Sequence, residues 1–190
     1  SPKEDGSGWV VTVREDSEVD PETLAAAGQS EFEFVYVPFN ATGLVGGHVI
    51  GTSGVKAALV RDGDQVLAHS SQPLTVSRPQ PGFSEQHPEH WWLAACAALD
   101  ELRSQAPQAL ADTTAIGLSG QMHGATLLDA RGEVLRPCIL WNDGRSDLEC
   151  AELERRWPAL RRVTGNIAMP GFTAPKLCWV RKHEPEIFAL

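Results

Sequence analysis

No apolar run in this chain approaches the ~20 residues that a membrane-spanning helix needs, and the acidic N-terminus lacks the positive start and apolar middle of a secretion signal. Positive charge is also scarce. Lys and Arg number 16 against 25 Asp and Glu, a net charge of −9, and they form no stripe. Nucleic-acid binding needs clustered Lys and Arg to neutralise phosphates, so that class is set aside. Cysteine is sparse too: Cys96, Cys138, Cys150 and Cys178 lie 42, 12 and 28 positions apart, without a C-x-x-C pair. That spacing argues against a zinc site or a small disulfide framework and leaves reduced thiols in a cytoplasmic protein as the expectation. Neither an internal repeat nor a low-complexity tract is present. Asn40-Ala41-Thr42 fits a glycosylation sequon, but three-residue matches arise readily by chance and matter only in a secreted protein.

At 190 residues the chain is long enough to bury a sizeable core. Its acid is concentrated at one end. Residues 1–47 carry nine Asp and Glu against Lys3 and Arg14, a net −7 of the chain's −9. A junction is therefore expected near residue 47, with an acidic leader of unknown origin before it. In the leader, residues 9–13 and 32–38 read as strands and residues 21–27 as a short helix. Beyond it, residues 55–60 and 65–70 flank Arg61-Asp62-Gly63-Asp64 as a hairpin with a tight D-G turn, and residues 74–77 offer a third strand. A helix is expected over residues 90–104, with Trp92, Cys96, Leu99 and Arg103 at helical spacing and Trp91 and Trp92 as packing residues. A buried strand at Thr114-Ala115-Ile116 follows. Then come a second hairpin over residues 126–128 and 134–140, a helix over 146–156 ended by Pro158, and a last helix from near Ala174. Hairpins followed by helices and another strand predict an α/β domain with a mixed sheet and flanking helices.

Two clusters exceed what core-filling requires. The first, Gly117-Leu118-Ser119-Gly120-Gln121-Met122-His123-Gly124, follows a short apolar strand, so Gln121, Met122 and His123 should stand at a strand end, where α/β sheets bind ligands. The second, Trp141-Asn142-Asp143-Gly144-Arg145, follows Pro137-Cys138-Ile139-Leu140. It delivers an aromatic face, an amide, a carboxylate and a guanidinium within five positions. Polyols need that mixture of flat apolar surface and convergent hydrogen bonds. A third segment, Gly51-Thr52-Ser53-Gly54-Val55-Lys56, offers two hydroxyls, backbone amides and an ammonium, groups able to cradle a polyphosphate. Gly46 and Gly51 have Walker-A spacing, but Thr52-Ser53 stand where Lys-Ser/Thr is required, so this is not a P-loop.

In their order and spacing, with Ser84-Glu85-Gln86, Trp91-Trp92 and Met169-Pro170-Gly171-Phe172-Thr173-Ala174-Pro175-Lys176-Leu177, these segments resemble the FGGY family of carbohydrate kinases, most closely its xylulokinases. The resemblance runs from Gly51 to Leu190. It implies a ribonuclease-H-like fold of the actin/Hsp70 type, with residues 48–190 as the N-terminal part of the first lobe. The general-base Asp and the adenosine-binding lobe would then lie beyond residue 190. ATP and Mg²⁺ are implied as cofactors and D-xylulose as the sugar, with Gly51, Thr52, Ser53, Gly54 and Lys56 facing the phosphates. Gln121, Met122, His123, Trp141, Asn142 and Asp143 face the sugar. Beyond these small molecules the resemblance allows a homodimer, while neither nucleic acid nor membrane is expected. One departure stands out. The family pattern carries an Asp for Mg²⁺ and phosphate handling three residues before the Thr-Ser pair, and here Val49 occupies that position after Gly46-Gly47-His48. A valine cannot ligate Mg²⁺, which takes oxygen ligands. The metal site is expected to be incomplete, the 190 residues alone inactive, and a first strand with two glycines and a histidine weakened.

Two other classes compete. A non-catalytic sugar-binding or assembly module on the same fold is favoured by Val49. A serine hydrolase built on Gly117-Leu118-Ser119-Gly120-Gln121 would need G-x-S-x-G, and Gln121 spoils the last glycine. His87 and His90 at H-x-x-H spacing lack a third ligand and are expected to face solvent. The cluster Arg155, Arg156, Arg161 and Arg162 is expected to be a solvated helix end.

Overall fold

The computed structural model describes residues 11–13, 34–36, 44–61 and 65–190. They divide into two compact units, one of residues up to 74 together with 92–120, the other of residues 75–91 and 121–190.

The first unit is built on a four-stranded mixed sheet. Strands β3 (Leu44–Ile50), β4 (Gly54–Arg61), β5 (Gln65–Pro73) and β7 (Thr113–Gly120) lie in the order β5-β4-β3-β7. Strand β3 pairs antiparallel with β4 and parallel with β7, and β4 pairs antiparallel with β5. A separate two-stranded ladder joins β1 (Val11–Val13) to β2 (Phe34–Tyr36). These are the described parts of the strands expected over 9–13 and 32–38; the rest of both, the helix expected over 21–27 and the turn residues 62–64 lie outside the described residues. Strand β3 is continuous across residue 47, and its pairing with β7 shifts register only between Leu44 and Val45.

Helix α1 (Pro88–Gln105) opens with Pro88 in its first turn, where a missing N–H costs nothing, and Glu89 suits the positive helix start. The face it buries is Ala94, Ala98 and Leu102, of which Ala98 and Leu102 pack with Ala57, Leu59 and Ala68 of the sheet. This corrects the expected face: Trp92 is 68% exposed and Arg103 is exposed. Alanines let the helix approach the sheet closely, and two turns of small residues ending in Leu102 fill that layer where a Trp would not fit. Burying Leu59 and Leu102 completely stabilises by ~1.5–3 kcal/mol each. Ser70 Oγ ties the layers by donating to Glu101 Oε2 at 2.6 Å. A short helix α2 (Pro107–Ala111), absent from the sequence reading, leads into β7. The strand at Ala115 is present, but Ile116 and Leu118 are 65% and 74% exposed. β7 is an edge strand of the sheet. The third strand expected over 74–77 is reduced to single contacts: β5 ends at Pro73 opposite Gly54, Leu74 N–H donates to Ser53 O, and Ser77 makes an isolated antiparallel bridge to Glu85.

In the second unit, β6 (Glu85–Gln86) pairs antiparallel with β8 (Cys138–Ile139). Isolated bridges Ala125↔Ile139 and Leu128↔Val134 make the second hairpin, narrower than expected. Helix α3 (Asp147–Arg156) carries acids in its first turn and arginines in its last, each matching the helix dipole. After Pro158 comes α4 (Leu160–Thr164), closed by Gly165 in the left-handed conformation. Helix α5 (Thr173–His183) and a final turn α6 (Pro185–Phe188) complete the unit. Its apolar core is small: Ala125, Ile139 and Val180, flanked by Leu127, Trp179 and Ile187.

Candidate functional site

The turn joining β3 to β4 is held tightly. Gly51 N–H donates to Gly54 O at 2.9 Å, and Leu74 N–H donates to Ser53 O at 2.9 Å. A Cβ at Gly54 would stand 2.8 Å from the carbonyl oxygen of Gln72, so only glycine fits. Thr52 and Lys56 are half-buried and Ser53 is exposed. Burial pushes the Lys56 ammonium pKa down. Cross-strand register aligns Ser71, Lys56, Val49 and Ser119 in one row across β5, β4, β3 and β7. Side chains directly opposite on neighbouring strands share a face, so the expected phosphate-facing lysine flanks the expected acid position. Val49 is 9% exposed and supplies no oxygen. Among the described residues no group of three or more His, Cys, Asp or Glu could hold a metal ion. The residues present therefore do not fit Mg²⁺ by themselves.

The second unit carries the residues expected at the sugar. Met122 is 56% exposed, and His123 is exposed with φ 61°, the left-handed region that costs a non-glycine residue roughly 1–3 kcal/mol. The neighbouring segment holds it there. The Phe172 ring packs 4.8 Å from the imidazole, Thr173 Oγ1 donates to His123 O at 3.3 Å, and Lys176 Nζ donates to the same carbonyl at 2.7 Å. Gln121 Nε2 donates to Gln86 Oε1 at 3.2 Å, an oxygen that also accepts Trp91 Nε1–H at 2.9 Å. The second expected loop is tied to the same place. A Cβ at Gly171 would fall 2.6 Å from the Trp141 carbonyl oxygen, and Lys176 Nζ donates to Gly171 O at 2.7 Å. Trp141 and Asn142 remain exposed.

Asp143 departs from the expected pattern. It is 2% exposed, and its Oδ1 accepts from Arg145 N and Nε while its Oδ2 accepts from Ser84 N and Arg145 Nη2, at 2.6–2.9 Å. Four donors fill both oxygens, so this carboxylate braces the loop rather than offering lone pairs to a sugar. The brace continues inward. Arg145 Nη2 and Arg136 Nη2 each lie 2.7 Å from Glu85 Oε1, and Arg136 Nε lies 2.7 Å from Glu184 Oε2 without the alignment of a hydrogen bond. Burial works against the Arg145 charge, but Asp143 and Glu85 outweigh it and raise its pKa. Its guanidinium also stacks 3.8 Å over the Phe83 ring. Phe83, Arg136, Arg145, Trp179 and His183 border a cavity of about 530 Å³ that includes none of the expected sugar residues. Both arginines facing it are already paired with carboxylates, so it has no unspent guanidinium for a phosphate.

The supporting residues Lys176, Phe172, Thr173 and Glu85 carried no individual role in the sequence reading, and the Arg145 guanidinium, expected among the groups of a polyol surface, is spent on Asp143 and Glu85. One signal was available: Lys176 is the lone charge in Phe172-Thr173-Ala174-Pro175-Lys176-Leu177-Cys178-Trp179-Val180, and a lysine in such a run is buried only if its donors are spent. The hydrolase reading fails on geometry, since Ser119 lies inside β7 opposite Val49 rather than on a strand-to-helix turn. His87 and His90 are exposed with ring centroids 5.8 Å apart, and Arg155, Arg156, Arg161 and Arg162 are exposed on α3 and α4.

Residues 45–190 match the profile of the FGGY family of carbohydrate kinases, N-terminal domain. The xylulose kinase of Escherichia coli (strain K12) is 58% identical over 139 residues, covering 73% of this chain and 28% of that protein. The xylulose kinase of Klebsiella pneumoniae is 54% identical over 140 residues, covering 74% of this chain and 29% of its own length. Among solved structures, the xylulose kinase of Rhodospirillum rubrum superposes with a TM-score of 0.73 at 39% identity, over 77% of this chain and 31% of that one. The chain thus spans under a third of the length of these relatives. Its mixed sheet with flanking helices is the ribonuclease-H-like arrangement of its structural neighbours, and the chain belongs to the FGGY family of carbohydrate kinases.

Proposed function

We propose that this chain supplies the sugar-binding and phosphate-facing part of an ATP-dependent kinase that transfers the γ-phosphoryl group to the 5-hydroxyl of D-xylulose. The observation that carries the reading is the left-handed, exposed His123, fixed by Phe172, Thr173 and Lys176 beside exposed Met122. Strain is kept where surrounding structure over-determines it, as at ligand clamps. The 58% identity to a xylulose kinase across this stretch supports the choice of sugar.

In this reading Met122 gives an apolar surface to the carbon skeleton, and His123 and Gln121 hydrogen-bond hydroxyls. Trp141 and Asn142 line the rim, and Asp143 holds that rim from beneath. Gly51, Thr52, Ser53 and Gly54 present the hairpin turn to the nucleotide phosphates, with Lys56 as the nearby cation. Phosphoryl transfer is mostly positioning and charge stabilisation, and these residues do the positioning. ATP is the phosphoryl donor; no step is assigned to Mg²⁺, because Val49 and its neighbours do not ligate it. A cytoplasmic location accords with the four free cysteines. No helix among the described residues is long and apolar enough to cross a membrane.

Isothermal titration of D-xylulose into the 190-residue chain tests the reading. Saturable binding is expected, weakened by about 1–3 kcal/mol in His123→Ala, the cost of leaving a buried hydroxyl unpaired. Unchanged affinity in that variant would remove His123 from the site. Buried Val49 favours a second reading, a sugar-binding module without catalysis. Binding of D-xylulose with no ATP turnover, even when the remaining lobe is supplied, distinguishes it from the first.

A further inference from the structure

The largest fully buried side chain among the described residues is Lys176, with no exposed surface. A buried ammonium is costly unless its donors meet acceptors. Lys176 Nζ meets two backbone carbonyls, His123 O and Gly171 O, each at 2.7 Å. They belong to the two segments that organise the expected sugar residues. One carbonyl is that of the left-handed residue itself, and the other belongs to the glycine packed against the Trp141 carbonyl.

We propose that Lys176 is the positioning residue of the sugar site: its ammonium draws the carbonyls of His123 and Gly171 together, so that the 121–124 turn and the 141–143 loop are presented as one surface. This inference rests on the reading of His123 as a sugar ligand. Three features of the structure support it. A carbonyl that accepts a charge-assisted bond from a buried donor cannot rotate without exposing that charge to an apolar interior, so the His123 backbone is locked in its uncommon conformation. Thr173 Oγ1 reaches the same carbonyl at 3.3 Å and the Phe172 ring closes on the imidazole, so helix α5 begins as a socket for one residue. Gly171 accepts no side chain, because a Cβ would strike the Trp141 carbonyl, and the second loop is therefore seated on the same lysine. Lysine's compact charge suits two converging carbonyls, whereas a flat guanidinium favours a carboxylate fork. Lys176 contacts no reacting atom in this scheme and acts through His123.

The test compares the unaltered 190-residue chain with Lys176→Met, Lys176→Arg and His123→Ala by amide hydrogen exchange and by D-xylulose titration. Lys176→Met is expected to speed exchange of the 122–124 and 171–173 amides at least ~10-fold, leave the 54–61 strand unchanged and weaken D-xylulose at least ~10-fold. Lys176→Arg should fall between. A merely structural lysine would loosen both units alike or leave 122–124 unchanged, and either result overturns the proposal. If Lys176→Met does not fold, the unaltered chain decides: ¹⁵N-detected ammonium protons of Lys176 must be protected from solvent, and rapid exchange overturns the proposal. Failure of the underlying reading looks different. Should exchange respond to Lys176→Met while His123→Ala binds D-xylulose normally, the lysine still positions the turn and His123 is no sugar ligand. Should His123→Ala lose binding while Lys176→Met changes neither readout, the sugar reading holds and the positioning role is gone.

Discussion

The two units solve the same problem, holding a few polar groups in place, by opposite means. In the first, the interior is Ala57, Leu59, Ala68, Ala98 and Leu102, and Ser70 is the one buried polar side chain among its described residues. Backbone register does the holding: the turn at Gly51 hangs from paired strands, and its position follows from the ladder. In the second, the interior contains Glu85, Gln86, Arg136, Asp143, Glu149 and Lys176 around a core of Ala125, Ile139 and Val180. Short loops have no ladder, so side-chain charges must orient them. The contrast teaches that the Gly51–Gly54 hairpin turn is positioned by the sheet, while the 121–124 and 141–145 segments are held by buried charged side chains. It also implies different vulnerabilities.

The largest expected effect lies in the first unit and concerns chemistry rather than stability. Residues 45–190 placed in the Escherichia coli xylulose kinase, in exchange for the stretch they match, should give an enzyme with very low kcat. Val49→Asp should then raise kcat by about two orders of magnitude or more, because a carboxylate between Lys56 and Ser119 restores the oxygen that metal and phosphate handling needs. The 190-residue chain alone should show no D-xylulose-dependent ATP turnover with either residue. Equal kcat in the two hybrids would break the assignment of phosphate chemistry to this row.

Stability should divide the units next. Asp143→Ala leaves the Ser84 amide unpaired and Arg145 with Glu85 alone in a buried site, and removal of one partner of a buried pair costs about 3–5 kcal/mol. Leu102→Ala at the sheet-helix layer should cost about 2–4 kcal/mol, the loss of buried methyl groups next to small neighbours that collapse only partly. Urea unfolding followed by far-UV dichroism measures both. A smaller loss for Asp143→Ala than for Leu102→Ala would mean that the charge network is incidental.

How far each unit was legible in the sequence follows from the same contrast. The hairpin of β4 and β5 could be read because alternation and the D-G turn are local signals, and the strand before Gln121 and the helix over 147–156 could be read for similar reasons. The buried face of α1 could not. Trp92, Cys96, Leu99 and Arg103 stand at helical spacing, yet the layer of Ala57, Leu59 and Ala68 takes Ala98 and Leu102. The two clusters at 117–124 and 141–145 stood out by composition alone. Their supports did not, because the partners are far apart in the chain: Arg136 meets Glu85 across 51 positions, Lys176 meets His123 across 53 and Ser84 meets Asp143 across 59. Asp143 illustrates the limit. Its residue type fits a sugar ligand and a loop brace equally well, and only the identity of its four donors separates them.

A pH titration sharpens the comparison at smaller amplitude. Burial lowers the Lys176 pKa to about 8, with Arg145 adding to the shift and Cys138 and Asp143 opposing it. Between that value and the usual 10.5 the unfolded chain binds more protons than the folded one, so folding stability must rise with pH across this window and be lost as pH falls through about 8. From pH 8 to 9.5 the gain attributable to Lys176, discounted for solvent screening, should be about 1 kcal/mol, read as the difference between the unaltered chain and Lys176→Met in urea unfolding. Lys56 in the first unit, only partly buried, should give a much smaller difference when replaced by Met. Parallel curves for the unaltered chain and Lys176→Met would show that the ammonium is better solvated than its burial implies.

The smallest effect tests how completely the sheet does its work without side chains. Strand β3 carries Gly46 and Gly47 in its middle, where glycine loses more backbone entropy than any other residue and packs nothing. Space does not demand either one. A Cβ at Gly46 would meet Thr113 Cγ2 at an ordinary 3.6 Å, and one at Gly47 would meet nothing within 4 Å. Neither residue has the positive φ that would penalise a side chain. Gly47→Ala should therefore stabilise the chain by about 0.5–1 kcal/mol, chiefly by restricting the unfolded state. That corresponds to a few degrees in melting temperature for a domain of this size. The turn at Gly51 should keep its geometry, since the ladder on both sides of β3 is unchanged. Destabilisation by Gly47→Ala would mean that an unseen neighbour approaches this strand, and the first unit would then depend on more than its backbone register.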